Sequence, residues 1–201
     1  MKALRPLLLT VAFLALFSSR PGWADLRTLS LTPDQTEITF DLDATGHDVH
    51  GTLSLAEAEV LFDSETGTAS GTITIDASGA DTGNPKRDKK MHNSVLLSVK
   101  FPQIEFTPTA LVGELADAGT SEVTLKGTVN IVGGEHPLEM TAQVEIDGDT
   151  VHFETTFEVP YVDWGLKNPS LFVLRVAKSV TVTIVGDGTL TTEVADDGTS
   201  D

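Results

Sequence analysis

Alternation of apolar and polar residues runs through most of this sequence and constrains its fold more than any other feature. In residues 37–43, Ile38, Phe40 and Leu42 alternate with acidic residues and threonine. Residues 122–131 repeat the pattern, with apolar residues or glycine at every second position. Because successive side chains of a β-strand point to opposite faces, each such segment predicts a strand with one dry face.

Turn-forming residues separate the alternating segments. Further strands are predicted at residues 51–63, 72–76, 104–106, 138–146, 151–159 and 180–184. The connections at residues 63–67, at Gly133-Gly134 and at Asp147-Gly148-Asp149 are rich in glycine and polar residues. Sequence neighbours are therefore expected to be sheet neighbours. We predict an all-β, closed antiparallel barrel of about eight strands, since closure buries the dry faces and removes exposed edges. A two-sheet sandwich satisfies the same pattern.

The segment 81–99 interrupts the alternation. Pro85 precedes a run of charged, helix-forming residues, and proline suits the first turn of a helix. This predicts a short helix over about residues 85–92. It carries four of the ten basic residues that follow residue 24. We expect this segment to act as a lid on the barrel.

The N-terminal residues have the features of a secretory signal peptide. Lys2 and Arg5 precede an apolar run of about eleven residues, Leu7–Phe17, and small residues lead up to Ala24. The run is shorter than the roughly twenty residues that span a bilayer, so we expect cleavage after Ala24 and no integral membrane segment. A periplasmic location is expected, with an extracellular one as the alternative. Residues 25–195 are expected to form one domain, and the acidic residues 196–201 a disordered tail.

Composition and motifs argue against several functional classes. The chain has no cysteine, which excludes thiol chemistry and disulfides. After residue 24, ten basic residues stand against thirty acidic ones, a formal charge of −20 that disfavours nucleic acid. No Gly-x-Ser-x-Gly, phosphate-binding glycine loop or His-Glu-x-x-His occurs. We predict a protein that is not an enzyme and uses no cofactor. The oligomeric state is not fixed by the sequence, which allows a homodimer.

Five histidines raise the question of a metal site. His47 and His50 lie near Asp41 and Asp43 in sequence. Residues three apart on a strand point to opposite faces, so the two imidazoles could share an ion only across a turn or bulge. We therefore predict no metal site.

Three stretches carry ordered motifs. The first is Thr82-x-Asn84 with Arg87-Asp88, followed by Val95-Leu96-Leu97, Phe101-Pro102 and x-Ile104-x-Phe106. The second runs from Leu125 to Leu138, and the third is Asp163-Trp164-Gly165-Leu166. In order and spacing they resemble the YceI-like family of bacterial periplasmic proteins. Two departures are Lys89-Lys90-Met91 before His92, where many members have an earlier histidine, and Val95-Leu96-Leu97, where the family has a phenylalanine-containing patch.

This resemblance implies a lipocalin-like barrel that holds a long polyisoprenoid chain, sometimes with a quinone-like head, in an internal tunnel. We therefore expect a non-enzymatic binding or carrier protein for such a lipid. Two alternatives remain: an interaction module with a filled barrel and acidic loops, and, ranked last, a lipid-isomerising or cyclising enzyme. In that enzyme Thr155 would be the polar interruption of an inward row.

Candidate ligand contacts are the apolar side chains expected on the inner face. Core packing would explain any one of them equally well. Trp164 combines a large apolar face with an N–H group that could meet a polar head. Arg87 and Arg175 are candidate headgroup contacts, although Arg87 could instead pair with Asp88 or a nearby carboxylate. The apolar candidates are Phe40, Leu53, Phe62, Ile75, Leu97, Phe101, Phe106, Leu125, Val129, Met140, Phe153, Phe157, Trp164 and Phe172.

Overall fold

The strands of this chain pair in strict sequence order and close on themselves. The computed structural model describes residues 26–170 and 175–193. The eight strands are β1 (Leu26–Leu42), β2 (Val49–Asp63), β3 (Ala69–Asp81), β4 (Gln103–Val112), β5 (Gly119–Ile131), β6 (Gly134–Asp147), β7 (Thr150–Val159) and β8 (Val180–Glu193). Each is antiparallel to the next, and β1 also pairs with β8. The predicted closed barrel is confirmed, and the sandwich alternative is excluded.

Several sequence predictions concern residues outside this description. They are the signal peptide at residues 1–24, the tail at residues 196–201 and the ligand contact at Phe172. These three stay predictions.

Two tight turns form where the sequence predicted them. Asp147 pairs with Thr150, which leaves Gly148 and Asp149 as a two-residue connection. Ile131 pairs with Gly134, and the intervening Val132 and Gly133 have φ values of 53° and 76°. Positive φ at both central residues gives a turn whose twist matches that of the flanking strands.

Strand β8 extends beyond the predicted residues 180–184. Val182 and Ile184 are buried, and Gly186 and Gly188 continue the same inward row. A Cβ at Gly188 would lie 2.5 Å from the backbone oxygen of Ser30, so the neighbouring strand requires glycine there. The two glycines hide the alternation in the sequence while the strand continues to Glu193.

The helical insertion between β3 and β4 is confirmed and continues further than predicted. Helix α1 spans Pro85–Lys90, and a π-helical turn follows over Met91–Val95. Asn84 caps α1 because its side-chain oxygen accepts hydrogen bonds from the backbone N–H groups of Lys86 and Arg87, at 3.1 and 3.3 Å. Within the described residues, no helix has the length and apolar character needed to cross a membrane.

Candidate binding cavity

Among the described residues, one cavity lies toward each end of the barrel. The larger, called here the wide cavity, has a volume of about 410 Å³ and lies where β1, β3, β5 and β7 end. It is closed over in part by the helical insertion and by the connection from β7 to β8. The smaller, called the narrow cavity, has a volume of about 110 Å³ and lies at the opposite end of the barrel. The barrel interior is therefore hollow, whereas the interaction-module alternative expected a filled one.

Most of the candidate contacts lie on the wall of one cavity or the other. Those that line the wide cavity are Phe40, Leu53, Ile75, Phe106, Val129, Met140, Phe157, Trp164 and Arg87. Those that line the narrow cavity are Phe62, Leu125, Met140 and Phe153. Met140 is common to both. All of them except Arg87 and Trp164 lie on strands, and the contact of any of them with a ligand stays a prediction.

Three candidates lie outside both cavities. Leu97 has a φ of 50° and is 38% exposed, because the chain reverses there after the π-helical turn. The ring of Phe101 approaches Gly133 of the β5–β6 turn, and the Nζ atom of Lys100 lies 4.9 Å from its centroid. Arg175 is exposed, and its backbone N–H donates to Thr45 Oγ1 at 3.3 Å. Leu97 and Phe101 lie between β3 and β4, in a segment without strands, so period-two alternation does not fix the direction of their side chains. Their contact with a ligand stays a prediction.

Two phenylalanine rings of the wide cavity depend on neighbouring glycines. A Cβ built on Gly51 would lie 2.2 Å from Cζ of Phe40, and one built on Gly127 would lie 2.6 Å from Cζ of Phe106. Each ring therefore lies flat across a strand position that has no side chain. This keeps both rings against the wall and leaves the centre of the barrel open.

The basic side chains at the rim of the wide cavity, Arg87 and Lys90, donate hydrogen bonds to neutral oxygens. Arg87 Nε donates to Thr82 Oγ1 and Arg87 Nη2 donates to the Thr82 backbone oxygen, both at 2.7 Å. The expected Arg87–Asp88 ion pair is absent, since the Asp88 carboxylate instead accepts hydrogen bonds from the backbone and hydroxyl of Thr82. The Thr82 hydroxyl bond, first among the causes, holds the pKa of Asp88 below its usual value. Thr82 thus ties the Arg87 and Asp88 side chains of α1 to the end of β3.

The insertion is fastened to the barrel on two further sides. Lys90 Nζ donates a hydrogen bond to the backbone oxygen of Pro169, in the connection from β7 to β8. The His92 ring is bonded through Nε2 to the Ala80 backbone oxygen and through Nδ1 to Ser98 Oγ, both at 2.9 Å. The insertion therefore covers the end of the barrel that holds the wide cavity, called here the wide end, in a closed position. Its role as a movable lid stays a prediction.

The amphipathic rings of Trp164 and Tyr161 lie at the wide end. The Trp164 ring stacks on His136 with centroids 4.7 Å apart and planes within 3°. The Tyr161 hydroxyl donates to the Ala177 backbone oxygen at 2.7 Å, and burial raises the pKa of this phenol. Both rings line the wide cavity, and the hydroxyl has its hydrogen-bond partner within the protein.

Two of the residues considered for enzymatic or metal chemistry, Thr155 and His50, have hydrogen-bond partners within the protein. Thr155 lines the narrow cavity, and its hydroxyl donates to the Thr141 backbone oxygen at 2.8 Å. His50 is bonded to Asp41 at the surface, whereas His47 lines the wide cavity. Across residues 26–170 and 175–193, no three histidine or carboxylate side chains converge as they would around an ion.

Several cavity residues were missed from the sequence. Met91, Val95 and Leu96 of the insertion and Leu166 after β7 line the wide cavity. Met91 and Val95 are four residues apart, which is a helical spacing that could have identified them. Leu166 has no such signal because it lies in an irregular segment.

Comparison with solved structures places this barrel among known ones. The Burkholderia cenocepacia protein BcnA matches with a TM-score of 0.62 at 14% identity, over 80% of this chain and 99% of that one. A polyisoprenoid binding domain from Saccharophagus degradans, implicated in plant cell wall breakdown, matches with a TM-score of 0.62 at 15% identity, over 82% and 98%. The Campylobacter jejuni YCEI protein gives a TM-score of 0.50 at 15% identity, over 73% and 84%. At these identities the matches establish a shared fold.

The sequence itself identifies the family. No curated protein matches it. The family model of the YceI-like domain matches residues 29–187, which include nearly all of the barrel and the whole helical insertion. This chain therefore belongs to the YceI-like domain family.

Proposed function

We propose that this protein is a periplasmic carrier or store for a polyisoprenoid or a similar long apolar lipid, and that it is not an enzyme. The observation that carries the proposal is the wide cavity, a volume of about 410 Å³ inside a closed barrel with a wall of mainly aliphatic and aromatic side chains. Membership of the YceI-like domain family supports it. So does the shared fold with a domain described as polyisoprenoid binding.

The chemistry of the wall favours a hydrocarbon chain. Such a chain has no hydrogen-bonding groups, and its transfer from water contributes about 25 cal/mol per Å² of apolar area buried, before ordering costs. Thr82, Arg87, Lys90 and Tyr161 line the wide cavity, and each already has a partner within the protein. A uniformly polar ligand would therefore lose its bonds to water without adequate replacement.

The rim suits a ligand with one polar end. Arg87 and Lys90 form no ion pair with the described carboxylates, and each has N–H groups beyond those used in the bonds above. A quinone-like head has carbonyl oxygens that could accept hydrogen bonds from these donors. The polar head would then remain at the wide end while the apolar tail fills the barrel.

The periplasmic location in this proposal rests on residues 1–24. Sequencing the N-terminus of protein recovered from the periplasmic fraction should give Asp25 as the first residue. Recovery only from the cytoplasm, with Met1 retained, would contradict this part of the proposal.

Lipid extraction tests the main proposal. Protein purified from its native host would be extracted with organic solvent, and the extract analysed by mass spectrometry. We expect one apolar lipid in stoichiometric amount. Val159→Phe would fill part of the wide cavity and should reduce the lipid recovered several-fold. Glu158→Phe introduces the same side chain at the adjacent, exposed position and should leave the amount of lipid recovered unchanged. Lipid-free protein in repeated preparations would refute the proposal.

A further inference from the structure

The wide and narrow cavities share three lining residues. Ile73, Met140 and Ile184 belong to the walls of both. They come from β3, β6 and β8, and at least one other strand separates each pair of these around the barrel. Their side chains therefore approach the lumen from different directions at the level where one cavity ends and the other begins. We call the level of these three residues, at the boundary between the two cavities, the waist.

The narrow cavity can accept only hydrocarbon. Among the described residues that line it, Thr36 and Thr155 are the polar ones, and no lining side chain is charged. Thr36 Oγ1 donates to the Thr32 backbone oxygen at 2.9 Å, and Thr155 Oγ1 donates to the Thr141 backbone oxygen at 2.8 Å. A polar head in this cavity would be desolvated with little to replace its water contacts. The rim donors Arg87 and Lys90 lie at the other end of the barrel, so a chain that reaches the narrow cavity must enter tail first.

Met140 is the adjustable residue of the waist. Ile73 and Ile184 are β-branched and stiff at χ1, whereas methionine is unbranched and has three rotatable bonds beyond Cα. Met140 is 7% exposed and packs in a cluster with Phe106 and Val129 of the wide cavity. A rotamer change of Met140 would connect the two cavities without breaking a backbone hydrogen bond.

We propose that the waist determines the length of hydrocarbon chain this protein accepts: the terminal part of the tail passes Met140 and lodges in the narrow cavity. The inference rests on the proposed lipid-binding function. Chains short enough to remain in the wide cavity do not pass the waist, so their affinity does not depend on the narrow cavity. Longer chains gain affinity from each group that enters the narrow cavity.

Linear isoprenoid alcohols of increasing length test this directly. Geraniol, farnesol, geranylgeraniol and solanesol would be titrated into the full chain, with Trp164 fluorescence as the signal. The sequence has two tryptophans, so a Trp23→Phe background leaves Trp164, in the wide cavity wall, as the single reporter.

Two variants obstruct the longer chains in different ways. Met140→Phe puts a rigid ring at the waist, and Ala142→Leu fills the narrow cavity beyond it. Each should weaken binding of the longer alcohols by at least about tenfold, the contribution of roughly two buried methylene groups. Ala142 lines the narrow cavity and not the wide one, so Ala142→Leu should leave geraniol within about threefold. Gln143→Leu is the matched control because residue 143 is exposed next to Ala142, and it should bind the whole series like the parent. Circular dichroism would verify that each variant is folded.

The outcomes separate this inference from the proposed function. A loss that is larger for the longer alcohols than for geraniol in both variants, and confined to the longer alcohols in Ala142→Leu, supports the waist. If the parent binds the series and the variants lose affinity equally for all lengths, or lose none, the waist inference is wrong while lipid binding stands. If the parent binds none of the alcohols, both are overturned. Should Met140→Phe fail to fold, the result with Ala142→Leu decides.

Discussion

The close packing of Phe40 against Gly51 allows a quantitative test of how the wide cavity is kept open. The two residues are paired across β1 and β2. A Cβ at position 51 would lie 2.2 Å from Phe40 Cζ and 2.8 Å from the Asp81 backbone oxygen. Carbon contacts are optimal at about 3.5–4.0 Å, so Gly51→Ala must displace the ring into the cavity or open the ladder between β2 and β3.

The expected cost is that of overpacking a well-fitted core. Such changes cost about 1–3 kcal/mol. For a chain of this size, each kcal/mol lowers the melting temperature by roughly 2–4 °C, so we expect Gly51→Ala to melt about 2–12 °C lower. A ring displaced inward would also reduce the cavity volume and weaken lipid binding.

A double-mutant cycle assigns the cost to the ring. Phe40→Leu removes the clashing atoms, so Gly51→Ala should cost less in that background, with a coupling energy of at least about 1 kcal/mol. The measurement is urea unfolding of the four proteins followed by circular dichroism. Gly79→Ala is the control, because a Cβ there meets the movable end of the Asp76 side chain at 3.0 Å, and we expect a change within about 0.5 kcal/mol.

Two results would refute this reasoning. If the Gly51→Ala protein were as stable as the parent, the Phe40 ring would have more free space around it than the structure shows. An equal cost with and without the Phe40 ring would mean that the Asp81 contact alone accounts for the effect.

Three further predictions concern other parts of the barrel. Ile38→Ala should destabilise the fold by about 2–5 kcal/mol in urea unfolding, because Ile38 is 1% exposed beside the narrow cavity; a cost below that range would show that the wall collapses to fill the space. His136→Leu should remove the stack on Trp164, cost about 0.5–1.5 kcal/mol and alter Trp164 fluorescence, and an unchanged spectrum would argue against the stack. The pKa of Asp88 is lowered mainly by the Thr82 hydroxyl, so its stabilisation is complete above the usual value of 3.8 and is lost as pH falls through the lower folded value. Thr82→Val should therefore flatten this part of the acid-unfolding curve, and an identical curve would contradict the assignment.

Period-two alternation predicted strands where large apolar residues alternate without interruption. It failed at the end of β8, where Gly186 and Gly188 face inward, because the ladders on either side maintain a strand whose own residues give no periodic signal. It also failed at the start of β1, where Leu29 and Leu31 line the narrow cavity, because a register shift between Leu31 and Thr36 separates them from the row that contains Ile38.

The candidate contacts on strands and those in irregular segments were predicted with different success. All ten of those predicted on strands line a cavity. Alternation places most of them on the inner face, but on β2 a register shift between Leu55 and Glu57 is needed to bring both Leu53 and Phe62 inward. Leu97 and Phe101, predicted from a segment without strands, lie outside, and Met91 and Val95 of the insertion were missed. Outside regular structure, the direction of a side chain depends on where the chain reverses, and only the folded backbone fixes that.

By itself, then, the sequence determined an all-β fold with an apolar interior and a helical insertion that begins at a proline, since periodicity, turns and helix starts are local. Closure of the strands into a barrel rather than a sandwich was decided by the pairing of β1 with β8. Whether that interior is filled or hollow depended on tertiary structure. The rings of Phe40 and Phe106 lie flat over Gly51 and Gly127, on neighbouring strands, and the division at Met140 depends on side chains that reach the lumen from three separate strands. Cavity volume is the space left after all the walls have packed, and no single strand encodes it.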